Sequence, residues 1–121
     1  YHGDYTIQGG VKGLEKLVAD NPDMTAVFVT NYEMTMGAVI GVNELALKIP
    51  EQLSMIGFDN LQFARACNPK LTIVAQPTPS IAREVAGIML KRLEEGDAGN
   101  TERIAEKLDA EIIMGKSVRA I

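Results

Sequence analysis

Pro50-Glu51-Gln52-Leu53-Ser54-Met55-Ile56-Gly57-Phe58-Asp59-Asn60 reads as a turn, a short buried strand and an abrupt acidic stop. Leu53 to Phe58 is short and nearly all apolar, with Pro50 punctuating the chain in front of it. That is the pattern of a parallel strand covered on both faces. Gly57 allows close backbone approach, and Asp59 places a carboxylate where a core has no use for one. In open α/β sheets, ligands sit outside the carboxyl ends of the strands. Asp59 is therefore expected to point into such a crevice, with the other elements arranging partners around it.

Working upstream, Ile7, Val11, Leu14, Leu17 and Val18 recur at helical spacing, with Lys12, Glu15 and Lys16 on the opposite face. Asn21-Pro22-Asp23 ends that helix. Thr25 to Thr30 is rich in β-branched residues, reads as a buried strand and stops at Asn31. A second helix is expected from about Tyr32 to Leu47. Its apolar residues, Met34, Met36, Val39, Ile40 and Val42 among them, cover more than one face. Such a helix is either wedged between neighbours of its own domain or set against a partner subunit, and the small size of the domain favours the partner.

Downstream, Leu61 to Asn68 reads as a short helix and Leu71 to Ala75 as a third strand. Thr78-Pro79 opens a helix, with threonine as cap and proline at the first helical position. Ile81, Val85, Ile88, Met89 and Leu93 form its expected buried stripe, and Gly96 closes it. Asp97 to Thr101 reads as a surface loop, while Ile104 to Glu106 and Glu111 to Met114 read as strand material. Alternation of this kind predicts an α/β fold, a three-layer α/β/α sandwich with a mainly parallel sheet. The 121 residues suffice for one domain with a core, 1–121, and not for two.

The totals exclude several classes of function. Hydrophobic residues make up 46% and charged residues 23%, an ordinary globular balance. The net charge of −4, with no basic cluster, argues against nucleic acid held by this chain itself. A single Cys67 forbids an internal disulfide, and with one histidine no Cys/His zinc set can be built, so no metal or cofactor is expected. The reducing interior of a cell fits this usage, which makes the expected location cytoplasmic. No apolar run approaches membrane-spanning length and no secretory leader is recognisable. The chain opens at Tyr1 without a methionine, as a piece of something longer would.

Asn31, Asp59 and Gln76 each directly follow a predicted strand. Polar residues end strands because loops are wet. Three hydrogen-bonding side chains in equivalent places also suit a site that both donates to and accepts from the hydroxyls of a sugar or the edge of a purine-like ring. Tyr5, at the entry to the first helix, offers either a flat face for stacking or a partly buried core aromatic. Enzymatic chemistry has little to stand on, since Cys67 has no neighbouring base and His2 sits near the first residue. A phosphoacceptor receiver domain needs an acidic pair after its first strand and a lysine after a later one. No hydrophobic strand precedes Asp4 and no lysine follows Ala75. Gly3 and Gly9-Gly10 lack the spacing of a nucleotide fingerprint and are expected to serve a tight turn and close helix packing.

Several segments taken together resemble a known family: Gly3-Asp4-Tyr5-Thr6 with Gly9-Gly10, Thr25-Ala26-Val27-Phe28-Val29-Thr30-Asn31, Glu33-Met34-Thr35-Met36-Gly37-Ala38, and Ile49-Pro50-Glu51 through Asn60. Asn68-Pro69 with Leu71-Thr72, then Gln76-Pro77, completes the run. In order and spacing they resemble the C-terminal part of the effector-binding core of LacI/GalR-type transcriptional regulators, a periplasmic-binding-protein-like fold. The resemblance implies that Asp59 and Asn31 hydrogen-bond a small effector (a sugar, phosphosugar or nucleobase), that Gln76 lines the same cleft, and that Tyr5 stacks on the ligand. It also implies a homodimer, with Met34, Met36, Val39, Val42, Leu61, Ala64, Arg65 and Cys67 at or near the partner. Operator DNA would be contacted only by a headpiece outside these residues. Two positions depart from the family pattern: Tyr32 stands where an acidic residue is usual, and Gly115 where an arginine is usual. An extracytoplasmic sugar receptor shares the fold and cleft and is the alternative, although such a receptor has no need of the dimer helix.

Overall fold

Helix and strand alternate as expected in the computed structural model, which describes residues 1–95 and 103–120. The elements are α1 (Ile7–Asp20), β1 (Ala26–Phe28), α2 (Tyr32–Glu44), β2 (Ser54–Phe58), α3 (Leu61–Ala66), β3 (Thr72–Ala75), α4 (Thr78–Glu95) and β4 (Glu111–Ile113). The strands form one sheet in the order β1-β2-β3-β4. β1 and β2 are parallel, with Val27 opposite Met55, and β2 and β3 are parallel, with Gly57 opposite Ile73. The fold is thus an α/β sandwich built on a mainly parallel open sheet with flanking helices. The predicted helix stop at Gly96 and the loop Asp97 to Thr101 lie outside the described residues.

The described residues fall into two compact units, Tyr1–Ala75 with Ile112–Ile121, and Gln76–Glu111. The first unit holds the core. Met55 of β2 is 0% exposed, and Leu14, Ala38, Leu53, Ala64, Leu71 and Ile73 are buried around it. β2 and β3 are the buried strands, as their continuous apolar runs predicted. β1 is shorter than predicted and less covered, with Phe28 at 52% exposure. In the described sheet it is an edge strand, paired on one side only.

α1 buries Val11 and Leu14, with Ile7, Leu17 and Val18 half-buried, along the face that the spacing picked out. Its contact with α2 is a backbone contact. A Cβ at Gly37 would lie 2.9 Å from the Gly10 Cα and nearer still to the Ile7 carbonyl oxygen. The Gly9-Gly10 pair was read as serving close helix packing, and Gly10 does so against Met34 and Gly37.

The last described residues return to the sheet. Ser117 is fully buried; its Oγ accepts from the Thr72 N–H at 2.8 Å and donates to the Met55 carbonyl at 2.5 Å. The Met55 N–H donates to the Ser117 carbonyl at 2.8 Å, and the Arg119 N–H reaches the Ser54 Oγ at 3.2 Å. Gly115 lies against the backbone of Lys70 and Leu71, where a Cβ has no space, and its N–H donates to the Thr72 Oγ1 at 3.0 Å. The departure from the family's arginine is therefore a packing position in this chain.

In the second unit, two expectations fail. Val85, Met89 and Leu93, read as part of a buried stripe, are each more than half exposed, and no described residue of the unit is buried. Periodicity reports that a face is apolar, which is not the same as being covered. Ile81, Val85 and Ile88 instead line a groove with Ile104, Glu106 and Leu108. Residues 104–106 form no strand; only Glu111–Ile113 does. The start of α4 also moves by one residue, since the Pro77 carbonyl accepts from the N–H groups of Ser80 and Ile81.

Candidate functional site

The carboxyl ends of β1 and β2 are built by helix caps. Asn31 ends the first strand region and caps α2: its Oδ1 accepts from the Met34 N–H at 3.0 Å, and its carbonyl accepts from the Thr35 N–H at 2.9 Å. Capping occupies the Oδ1, and among the described residues the Asn31 Nδ2 has no partner. This amide is left to donate outward.

Thr35 joins this cap to the next strand. Its hydroxyl donates to the Asn31 carbonyl at 2.7 Å and accepts from the Phe58 N–H at 3.3 Å. Thr35 is 1% exposed, so the bridge sits in a dry environment where a polar group without a partner is expensive. Gly57 makes room for it, since a Cβ there would lie 2.5 Å from the Thr35 Cγ2. The end of β1, the first turn of α2 and the end of β2 are thus tied within one hydrogen-bonded unit, and Asn31 and Asp59 share one edge.

β2 terminates sharply. Asp59 and Asn60 have φ values of 56° and 47°, both left-handed. Asp and Asn are the non-glycine residues that tolerate this region, and each still costs on the order of 1 kcal/mol. The Asp59 N–H donates to the Val74 carbonyl at 2.8 Å, fastening the turn to β3, and the Asn60 Oδ1 caps α3 through the Phe63 N–H at 2.9 Å. The turn leaves Asp59 half-buried, a place where a carboxylate keeps contact with a solute without being lost in the core.

Tyr5 precedes α1, with Thr6 as the helix cap. Gly3 lies against the side chain of Met34 in the first turn of α2, so the segment carrying Tyr5 sits beside the Asn31 cap. The Tyr5 side chain is 73% exposed, which sets aside the core-aromatic reading. Tyr32 packs edge-to-face on Phe63, with ring centroids 6.4 Å apart at 75°. The second departure from the family pattern therefore supplies an aromatic contact between α2 and α3 in place of a charge.

The structure brings Tyr5, Asn31 and Asp59 to the carboxyl edge of the first unit's sheet. Gln76 begins the second unit and is described only within it. Two of the hollows among the described residues of this unit lie elsewhere. One, of about 80 Å³ between α1 and β1, is lined by Leu14, Leu17, Val27, Val29 and Met34. The other, of about 410 Å³, is lined by Val39, Val42, Leu47, Ile49, Phe63 and Cys67. Neither takes in Tyr5, Asn31 or Asp59. Sequence reasoning passed over Thr35 and Asn60; a hydroxyl lodged in an otherwise apolar helix start was the available signal for the first.

Two residues assigned to a dimer face are corrected. Val42, at 6% exposure, and Ala64, at 2%, belong to this chain's own core and are not open to a partner. Met34 is half-buried against Gly3. Val39 and Cys67 pack on the core with part of their surface open, Met36 is half-buried, and Leu61 and Arg65 are exposed. Burial raises the Cys67 thiol pKa. Among the described residues no group of His, Cys, Asp or Glu is placed to hold a metal ion, and no helix is long and apolar enough to cross a membrane.

Open α/β sheets hold their ligands outside the carboxyl ends of the strands, the edge where Asn31 and Asp59 lie. The chain belongs to the periplasmic binding protein-like domain family, matched over residues 2–118, on the LacI/GalR branch. It is 36% identical over 119 residues to the HTH-type transcriptional repressor CytR of Escherichia coli strain K12, covering 98% of this chain and 34% of that protein. It thus spans about a third of the length of this relative. The transcriptional regulator CelR in complex with cellobiose superposes with a TM-score of 0.82 at 28% identity, over 95% of this chain and 34% of that one. A LacI-family regulator from Enterococcus faecium with bound ribose gives 0.79 at 28% identity, over 96% and 41%.

Proposed function

We propose that this chain is the C-terminal part of the effector-binding and dimerisation core of a LacI/GalR-type transcriptional regulator, without enzymatic activity, and that it forms one wall of a cleft for a small polyhydroxylated or nucleobase-like effector. The observation carrying this reading is the Thr35 bridge, which holds Asn31 and Asp59 on one sheet edge beside Tyr5. Asp59 accepts from effector hydroxyls, the Asn31 amide donates and Tyr5 stacks. The opposite wall belongs to residues outside this chain, consistent with the third of its relative's length that it spans.

Effector bound across the cleft favours one arrangement of the two lobes, and a dimer transmits that choice to operator-reading segments elsewhere in the protein. The shift is limited to the effector's differential affinity for the two arrangements. The dimer face in this reading consists of Met36, Val39, Leu61, Arg65 and Cys67. Such a regulator works in the cytoplasm. The test is a thermal-shift series on the full-length protein with ribose, cellobiose, adenosine and glucose 6-phosphate. At least one is expected to raise Tm, and Asp59→Asn is expected to weaken that ligand roughly 10-fold or more, the worth of a hydrogen bond to a charged group. A ligand that shifts wild type and Asp59→Asn equally removes Asp59 from the site.

A further inference from the structure

We infer that Asp4 is a positioning residue acting through Tyr5, fixing the backbone that presents the aromatic ring to the effector; this rests on the reading of Tyr5 as a stacking side chain. The Asp4 Oδ1 accepts two hydrogen bonds from Thr6, from its backbone N–H at 3.0 Å and from its hydroxyl at 2.7 Å. The same hydroxyl accepts from the Gly9 N–H at 2.9 Å as the cap of α1. Carboxylate, hydroxyl and helix start therefore form a directed chain, with Tyr5 enclosed between its first two members.

Tyr5 has a φ of 62°, a left-handed conformation that an aromatic residue seldom takes unaided. The clasp across it supplies what the residue itself lacks. Gly9 belongs to the device, because a Cβ there would overlap the Asp4 carboxylate. The bonds from Thr6 hold the Asp4 carboxyl below its ordinary pKa, so the accepting form is the one present at neutral pH. On the other side, Gly3 rests against Met34 beside the Asn31 cap. The ring is 73% exposed while the backbone on both sides is fixed. A ring held ready in this way loses less freedom on binding than one on a loose segment.

The test is a double-mutant cycle read by calorimetric titration of the full-length protein with ribose, cellobiose and adenosine, alongside a ligand-free measurement. Asp4→Ala is expected to weaken binding about 3- to 10-fold, the worth of ordering one side chain. It should do so only where Tyr5 is present and have no effect in a Tyr5→Ala background, and Asp4→Asn, which keeps an acceptor oxygen, should retain most of the affinity. Equal losses in both backgrounds overturn the inference. A Tyr5→Ala variant that binds all three probes as wild type does overturns the stacking reading on which it rests. The ligand-free arm separates these failures: residues 1–121 contain no tryptophan, so Tyr5→Trp, with any tryptophan outside these residues replaced by phenylalanine, gives a single indole reporter. Its fluorescence anisotropy should fall on adding Asp4→Ala and hold with Asp4→Asn. An unchanged anisotropy refutes the clasp whatever the titrations give.

Discussion

Gly37→Ala is expected to destabilise the first unit by about 2 kcal/mol, because one methyl group must enter a contact between two backbones. The added carbon would lie 2.9 Å from the Gly10 Cα and closer still to the Ile7 carbonyl oxygen, where ordinary contact begins at 3.4 Å. Neither neighbour is a flexible side-chain tip, so α1 and α2 have to move apart as bodies. Overpacking of this kind costs up to about 3 kcal/mol, and the better helix propensity of alanine returns about 1. The remaining 2 kcal/mol corresponds to a fall in Tm of roughly 8–16 °C for a unit of this size. Gly87→Ala is the control: it is also helical, but a Cβ there meets nothing within 4 Å, so stability should hold or rise. Urea titration followed by circular dichroism measures both. A Gly37→Ala protein as stable as wild type would mean that α1 and α2 do not meet backbone to backbone.

Three further outcomes follow from the packing. Ser117→Ala should cost about 2 kcal/mol in chemical denaturation, since it strips the Thr72 N–H and the Met55 carbonyl of a buried partner. A loss under about 0.5 kcal/mol would show water replacing the hydroxyl. Cys67 should react with iodoacetamide at pH 8 more slowly than a free peptide thiol, because burial raises its pKa and lowers the thiolate fraction; a rate equal to the peptide's contradicts its half-buried position. Met36→Glu and Leu61→Glu should yield folded monomers in sedimentation if the proposed dimer face is right, whereas Val42→Glu should unfold the chain, since Val42 is a core residue. Charged variants at Met36 and Leu61 that remain dimeric would move the interface elsewhere.

How much of this was legible depended on the range over which each residue is satisfied. β2 and Asp59 could be read because a buried parallel strand is a continuous apolar run, and a carboxylate at its end violates that run locally. Asn31 could be read for the same reason. Thr35 could not, because its partner, Phe58, lies 23 residues away and a hydroxyl among methionines looks like noise. Ser117 was hidden by the same cause, with bonds spanning 45 and 62 residues. The helical spacing of α2 shows two apolar faces but not which one meets the chain's own sheet, so it points Val42 at a partner although Val42 belongs to the core; Ala64, in α3, is placed near a partner by the family resemblance alone and is also buried. In α4 the spacing was right and the inference of burial was not. Hydropathy shows which face seeks cover and is silent about where that cover comes from.

The Ser117 bonds also bear on the order in which the protein is made. Thr72 and Met55 leave the ribosome well before the residue that satisfies them, and everything in the second unit is translated in between. The nascent sheet must wait with two buried-to-be polar groups still open to solvent, at the stage when newly emerged chains are scanned by chaperones. A stalled or clipped product ending before Ser117 would thus leave its central strands unsealed and open to degradation.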